Sequence, residues 1–215
     1  VKKKIETPLI GFAGAPFTVA SYLMEGDQRS KEIELTRAQL YKYPQEVLAF
    51  MEKLTEATIE YLKMQVERGV DAIQLFESFG HKLSPKLFET FSYPFLKKIV
   101  DALKSLVPVI VFSRGTQQHS SQLLDLGATA LSVDWQSDLQ ALHQKAPMST
   151  VLQGNLDPCV LFSSPEVIFR EVKSMLEKVD YKKGFIANLG HGVLPKTPPE
   201  HVQAFVEAIR SRSEE

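Results

Sequence analysis

A chain of 215 residues with 44% hydrophobic side chains has material for one substantial core or two small ones, in the range of an ordinary water-soluble domain. Its 25 lysines and arginines nearly balance 26 aspartates and glutamates, giving a net charge of -1, so no overall basic field recruits nucleic acid or an anionic membrane. The longest nearly apolar run, 106–112, is far short of the ~20 residues that a membrane crossing needs, and Val1-Lys2-Lys3-Lys4-Ile5 leads into no signal-peptide core. A cytoplasmic or organelle-matrix chain is expected, with the lysine run a solvated end; the start at Val1 rather than methionine points to a missing upstream segment. The single cysteine, Cys159, excludes an internal disulfide framework and a Cys/His zinc cluster, and a small buried role is expected for it.

Short apolar or β-branched runs at 9–12, 72–76, 109–112, 130–133, 150–153 and 185–189 predict six strands. Between the first two, Val47, Phe50, Met51, Leu54, Ala57, Tyr61 and Leu62 recur at helical spacing and predict a core-facing stripe. Further along, Ile168, Val172, Met175, Leu176 and Val179 predict a second such stripe, and Val202, Phe205, Val206 and Ile209 a third. A cap residue followed by proline marks helix starts at Ser84-Pro85, Asp157-Pro158 and Ser164-Pro165, and Thr197-Pro198-Pro199-Glu200 reads as a capping box with proline at the first helical position. Strand and helix alternate throughout, the pattern of βα units around a parallel sheet. No linker or composition break divides the chain, so one domain is expected over 1–215. A closed barrel of this kind has eight units and an open six-stranded sheet is the alternative; no Gly-x-Gly-x-x-Gly follows any strand.

In a parallel sheet the residues just after each strand gather at one end, where distant segments act on one ligand. Those residues are Gly14-Ala15-Pro16 with Ser21 and Tyr22, Glu77-Ser78-Phe79-Gly80, Ser113-Arg114-Gly115, Asp134-Trp135, Gly154-Asn155-Leu156-Asp157 and Gly190-His191-Gly192. Each also has an ordinary role: Ser78 closing a turn, Asp134 accepting backbone N–H groups, Asp157 capping a helix, Arg114 covering the rim, Tyr22 packing. His191 stands out because it lies in a strand-to-helix loop between glycines, which let a ligand approach closely. His81, His119, His143 and His201 read as surface or helix residues, and no Ser/His/Asp order or metal-ligand spacing is present.

Taken together, PLIGFAGAPFTVASYLMEG over 8–26, QLFES over 74–78, SVDW over 132–135, LQGNLDP over 152–158 and NLGHGVLP over 188–195 resemble the uroporphyrinogen decarboxylase family. The resemblance runs from about 8 to 209 in one order. It implies a (β/α)8 barrel with its site at the C-terminal ends of the strands, about six of the eight units lying in this chain. It also implies Tyr22, Ser78 and His191 as catalytic and substrate-contacting residues, with Phe76 and Asn155 beside them. No metal or organic cofactor is implied, and the partners implied are a tetrapyrrole substrate and a second copy in a homodimer. The implied reaction removes four acetate carboxyl groups from uroporphyrinogen to give coproporphyrinogen. The family's arginine-rich loop and pyrrole-facing aspartate have no counterpart before Val1, so this chain alone is expected to be inactive. Two other readings are a corrinoid-dependent methyltransferase relative and a non-catalytic tetrapyrrole-binding or dimerisation module. The first binds zinc through a histidine and two cysteines, which Cys159 alone cannot supply; Ser113-Arg114 stands where a thiolate is expected.

Overall fold

The structure, a computed structural model, describes residues 5–26 and 32–212; the lysine run at 2–4 and Val1 lie outside the described residues. The chain divides into two compact units, Val1–Leu131 and Ser132–Glu215. Strands β1 (Ile10–Gly14), β2 (Ala72–Glu77), β3 (Val109–Ser113), β4 (Ala130–Val133), β5 (Val151–Leu156) and β6 (Phe185–Leu189) follow chain order in the sheet. These are the six predicted strands, with β1 and β5 continuing past their expected ends to Gly14 and Leu156.

In the first unit, β1 pairs in parallel with β2 and β2 with β3, which sets Gly14 beside Phe76 and Glu77 beside Ser113. Helices α1 (Pro16–Glu25), α2 (Glu34–Lys42) and α3 (Pro44–Glu67) connect β1 to β2, and α4 (Pro85–Phe91) and α5 (Tyr93–Leu103) connect β2 to β3. Side chains alternate across a strand, so Ile73, Leu75 and Glu77 are buried while Ala72, Gln74 and Phe76 are half-buried. On α5, Phe95, Leu96, Ile99, Val100 and Leu103 form the buried stripe, and burying each such side chain fully contributes about 1.5–3 kcal/mol. The carboxylate of Glu25 ties the end of α1 to the start of α2 by accepting from both the N–H and the hydroxyl of Thr36, each at 2.8 Å.

The α3 stripe departs from expectation. The buried residues are Val47, Met51, Thr55 and Leu62, whereas Ala57 and Tyr61 are exposed. Thr55 is buried because its hydroxyl donates to the Met51 carbonyl at 2.7 Å, which satisfies it inside the helix's own backbone. Beside Tyr61, one face of β1 is open: Phe12 is 63% exposed, and Ile10 and the neighbouring Met64 are also open to solvent. Gln65 of α3 occupies the backbone edge of β1, accepting from the Phe12 N–H at 3.0 Å and donating to the Phe12 carbonyl at 3.1 Å, the pair of bonds a neighbouring strand would make. A side chain at Gly11 would collide with that carboxamide.

In the second unit β5 and β6 are parallel, in register from Leu152 beside Phe185 to Leu156 beside Leu189. Helices α7 (Leu139–Lys145), α8 (Pro165–Leu176) and α9 (Pro199–Arg212) belong to this unit, following α6 (Ser120–Leu124) of the first. Ile168, Val172, Met175 and Leu176 of α8 are buried as predicted. On α9 the buried residues are Ala204, Phe205 and Ala208, while Val206 points to solvent, because small alanines allow close packing that a search for large apolar residues passes over. Ile186 and Asn188 of β6 are exposed.

Ser84 caps α4 by accepting from the Leu87 N–H, and Asp157 caps the 3-10 turn Pro158–Phe162 by accepting from the Cys159 N–H at 2.8 Å. Ser164 stands at the start of α8 without a side-chain bond to the helix backbone. Two expectations fail. Thr197 does not cap α9: the residue before a proline is disfavoured in the helical region, so Pro199 keeps Pro198 out of the helix and leaves the buried Thr197 hydroxyl without a partner. Cys159 is exposed rather than buried, because it lies on the solvent side of the first turn after its cap.

Candidate active site

Each unit carries its own share of the candidate residues. In the first, β1 runs directly into α1, and the Ala15 N–H donates to the Phe76 carbonyl at 2.8 Å, joining the ends of β1 and β2. Nearly two turns into α1, Tyr22 is 50% exposed, and its ring stands edge-on to Phe79 with centroids 5.3 Å apart. Phe79 directly follows Ser78, so Tyr22 and Ser78 lie at the same end of β1 and β2. The Ser78 hydroxyl makes no hydrogen bond among the described residues, while its N–H donates to the Thr18 hydroxyl at 2.8 Å. Ser21, by contrast, is fully buried and spends its hydroxyl on the Phe17 carbonyl. Phe76 sits half-buried between Phe12 and Phe112, with ring centroids at 6.1 and 5.9 Å.

Behind Ser78 lies a group that the motifs gave no role. Glu77 has no solvent exposure, and its carboxyl accepts from the Thr18 hydroxyl at 2.6 Å, the Ser92 hydroxyl at 2.9 Å and the Phe79 N–H at 3.4 Å. Burial pushes its pKa up to about 7 against the opposing pull of those hydrogen bonds. Nearby, His119 is fully buried in a 3-10 turn, contrary to expectation. It stacks on Phe88 with centroids 3.9 Å apart, and its Nε2 lies 3.2 Å from the Gly80 carbonyl oxygen. Burial lowers its pKa and favours the neutral ring. His143 and His201 lie on α7 and α9, as helix residues. Arg114 is half-buried, and its N–H donates to the Glu77 carbonyl at 3.0 Å.

In the second unit, His191 is exposed just after β6 and its ring stands edge-on to Trp135, with centroids 5.9 Å apart. Gly190 is required by close approach: any Cβ there would strike the Trp135 backbone, and the Gly190 N–H donates to the Leu156 carbonyl at 2.7 Å. Gly192 faces open space, so only the first of the two glycines is needed for packing. Asn155 donates both amide hydrogens to the loop after β4, to the Asp134 carbonyl at 3.0 Å and the Ser137 carbonyl at 2.9 Å. Asp134 is fully buried and accepts from the Ser137 hydroxyl. Asn155 therefore fastens the loop that carries Trp135. No group of three or more histidines, cysteines and carboxylates able to hold a metal occurs among the described residues. Nor is any helix among them long and apolar enough to cross a membrane.

The uroporphyrinogen decarboxylase (URO-D) family model matches residues 1–212, nearly the whole chain. The chain belongs to this family. A uroporphyrinogen decarboxylase from Saccharophagus degradans is 39% identical over 207 residues, covering 94% of this chain and 58% of the relative. One from Christiangramia forsetii is 40% identical over 209 residues, covering 97% of this chain and 61% of the relative. The chain thus spans about three-fifths of the length of these URO-D relatives. Among solved structures, a methyltransferase from Methanosarcina mazei superposes with a TM-score of 0.82 at 24% identity, over 99% of this chain and 61% of that one. At that identity the likeness is one of fold, an α/β architecture with a parallel sheet.

Proposed function

We propose that this chain forms part of a cofactor-independent decarboxylase that converts the four acetate side chains of uroporphyrinogen to methyl groups, giving coproporphyrinogen, in a cytoplasmic homodimer. The observation that carries this reading is the family match over residues 1–212, with Tyr22, Ser78 and His191 on the segments that resemble the family's substrate-contacting blocks. Protonation of a pyrrole carbon turns the ring into an electron sink. The C–CO2 bonding pair then flows into the ring, carbon dioxide leaves, and the exocyclic carbon takes up a proton to become methyl. The protein's task is to orient the carboxylates and deliver protons. In this reading His191 donates to a substrate carboxylate or neighbouring pyrrole group. The hydroxyls of Tyr22 and Ser78 hold further carboxylates, Phe76 lies against the macrocycle, and Asn155 holds the loop in place and offers its oxygen.

The six strands are read as part of an eight-stranded barrel in one domain. Supporting this, the face of β1 that carries Phe12 and Ile10 is bare, beside a hollow of about 370 Å³ lined by Tyr61 and Met64, and β6 exposes Ile186. A strand arriving at β1 must displace Gln65 from Phe12. Because the chain spans three-fifths of its relatives, turnover by residues 1–215 alone is expected to lie near background. The likeness to a methyltransferase is one of fold and supplies no rival chemistry.

Trp135 is the chain's single tryptophan and stands against His191, which provides a direct test. Titration with uroporphyrin, the stable oxidised octacarboxylate, is expected to quench Trp135 fluorescence saturably, and His191→Ala is expected to weaken the binding about tenfold. A non-saturating response, identical with a porphyrin that lacks carboxylates, would overturn the assignment of this loop.

A further inference from the structure

We propose that Glu77 is a positioning residue for Ser78, acting through the hydroxyl of Thr18. This rests on the reading of Ser78 as a substrate contact and adds to it the device that orients that residue. A hydroxyl has one hydrogen, and that of Thr18 is committed to Glu77 at 2.6 Å, so a Thr18 lone pair receives the Ser78 N–H at 2.8 Å. The direction of this relay is set by the carboxyl. An ionised carboxylate only accepts, so it draws the Thr18 hydrogen towards itself and leaves the oxygen open to Ser78.

The carboxyl is held from three further directions. Ser92, between α4 and α5, donates to its second oxygen, the Phe79 N–H closes the turn on the other side of Ser78, and Gly80 packs so closely that a Cβ there would lie 3.2 Å from the Glu77 Cγ. Ser78 is thus bracketed by a bond to its own N–H and by one from its successor, both leading to Glu77. Packing alone does not call for a carboxyl here, since a leucine would continue the buried series Ile73 and Leu75 without the cost of burying an ionisable group. The titration of Glu77 reflects burial against the hydrogen bonds from the Thr18 and Ser92 hydroxyls and the Phe79 N–H.

The test combines a structural readout with binding. In 15N-labelled protein, the Ser78 amide shift is expected to follow the titration of Glu77, and to lose that dependence in Thr18→Val and in Glu77→Gln, which keeps the shape of the carboxyl but cannot ionise. In the chain completed to the full length of its relatives, Thr18→Val is expected to raise KM for uroporphyrinogen about tenfold with kcat within about twofold, and Thr18→Ser, which restores the hydroxyl, to return KM to within about twofold of the parent. Should Thr18→Val fail to fold, Glu77→Gln still decides the relay by the amide titration. A Ser78 amide that keeps its pH dependence in Glu77→Gln would overturn the proposal, as would Thr18→Ser behaving like Thr18→Val. If the amide follows Glu77 as expected but the completed protein neither binds nor converts uroporphyrinogen, the relay stands and the functional reading falls.

Discussion

In a protein completed to the full length of its relatives, replacing His191 by alanine is expected to slow uroporphyrinogen turnover about 100-fold or more while leaving the unfolding free energy within about 0.5 kcal/mol of the parent. The two halves of this expectation have separate causes. His191 is exposed and its ring stands edge-on to the half-buried Trp135, so little packing is lost. An imidazole that donates to the reacting carboxylate or ring, by contrast, acts on charge that moves in the transition state. Tyr22→Phe should be milder, about tenfold, because it removes a hydroxyl and keeps the ring against Phe79. Steady-state kinetics and urea unfolding on the same preparations check both. Loss of stability with unchanged turnover per folded molecule would make His191 a structural turn residue.

Glu77→Gln is expected to change the pH dependence of stability by about 2 kcal/mol between pH 5 and 8. In the unfolded chain a glutamate titrates near 4.5, and in the folded protein Glu77 titrates near 7. Between those values the folded state holds the proton more tightly than the unfolded state. Stability contributed by this group is therefore fully present below about 4.5, declines as pH rises towards 7, and is absent above it. Glutamine does not titrate, so the variant should gain on the parent as pH rises, as measured by urea unfolding at pH 5 and pH 8. A stability difference that does not move with pH would place the Glu77 titration near that of an ordinary exposed carboxylate. At both pH values the glutamine oxygen replaces only one of the two carboxyl oxygens: it accepts from the Thr18 hydroxyl, while the amide NH2 faces the Ser92 hydroxyl, which must turn to accept from it.

Much of this architecture is legible in the amino-acid sequence because strand and helix patterns have different periods. The run at 185–189 and the α8 stripe led by Ile168 and Val172 show it plainly. What escapes a sequence reading is what pairing and packing decide. Gly14, Gly154 and Asn155 look like loop residues, yet each lies within a paired strand, since ladder bonds outweigh the poor strand preference of glycine and asparagine. Residue type alone suggests a buried Cys159 and a surface or helical His119, and position in a turn reverses both. Glu77 could have been found: alternation from Ile73 and Leu75 sets it on the buried face, where a carboxyl requires an explanation. The Thr18 relay could not, because it joins residues 59 and 60 positions apart. For the candidate site, family motifs singled out Tyr22, Ser78 and His191, but only the structure shows Asn155 spending its amide hydrogens on the Trp135 loop.

The most direct measurement is anaerobic incubation with uroporphyrinogen, with no added metal or cofactor, and identification of the products by chromatography after oxidation. It is run on residues 1–215 alone and on the same chain completed to the full family length with a segment from a relative such as the Saccharophagus degradans protein. The completed protein is expected to form coproporphyrinogen through partly decarboxylated intermediates, and the chain alone to remain near background. Failure of the folded, completed protein to remove any acetate carboxyl group would contradict the assignment of this chain to a working decarboxylase.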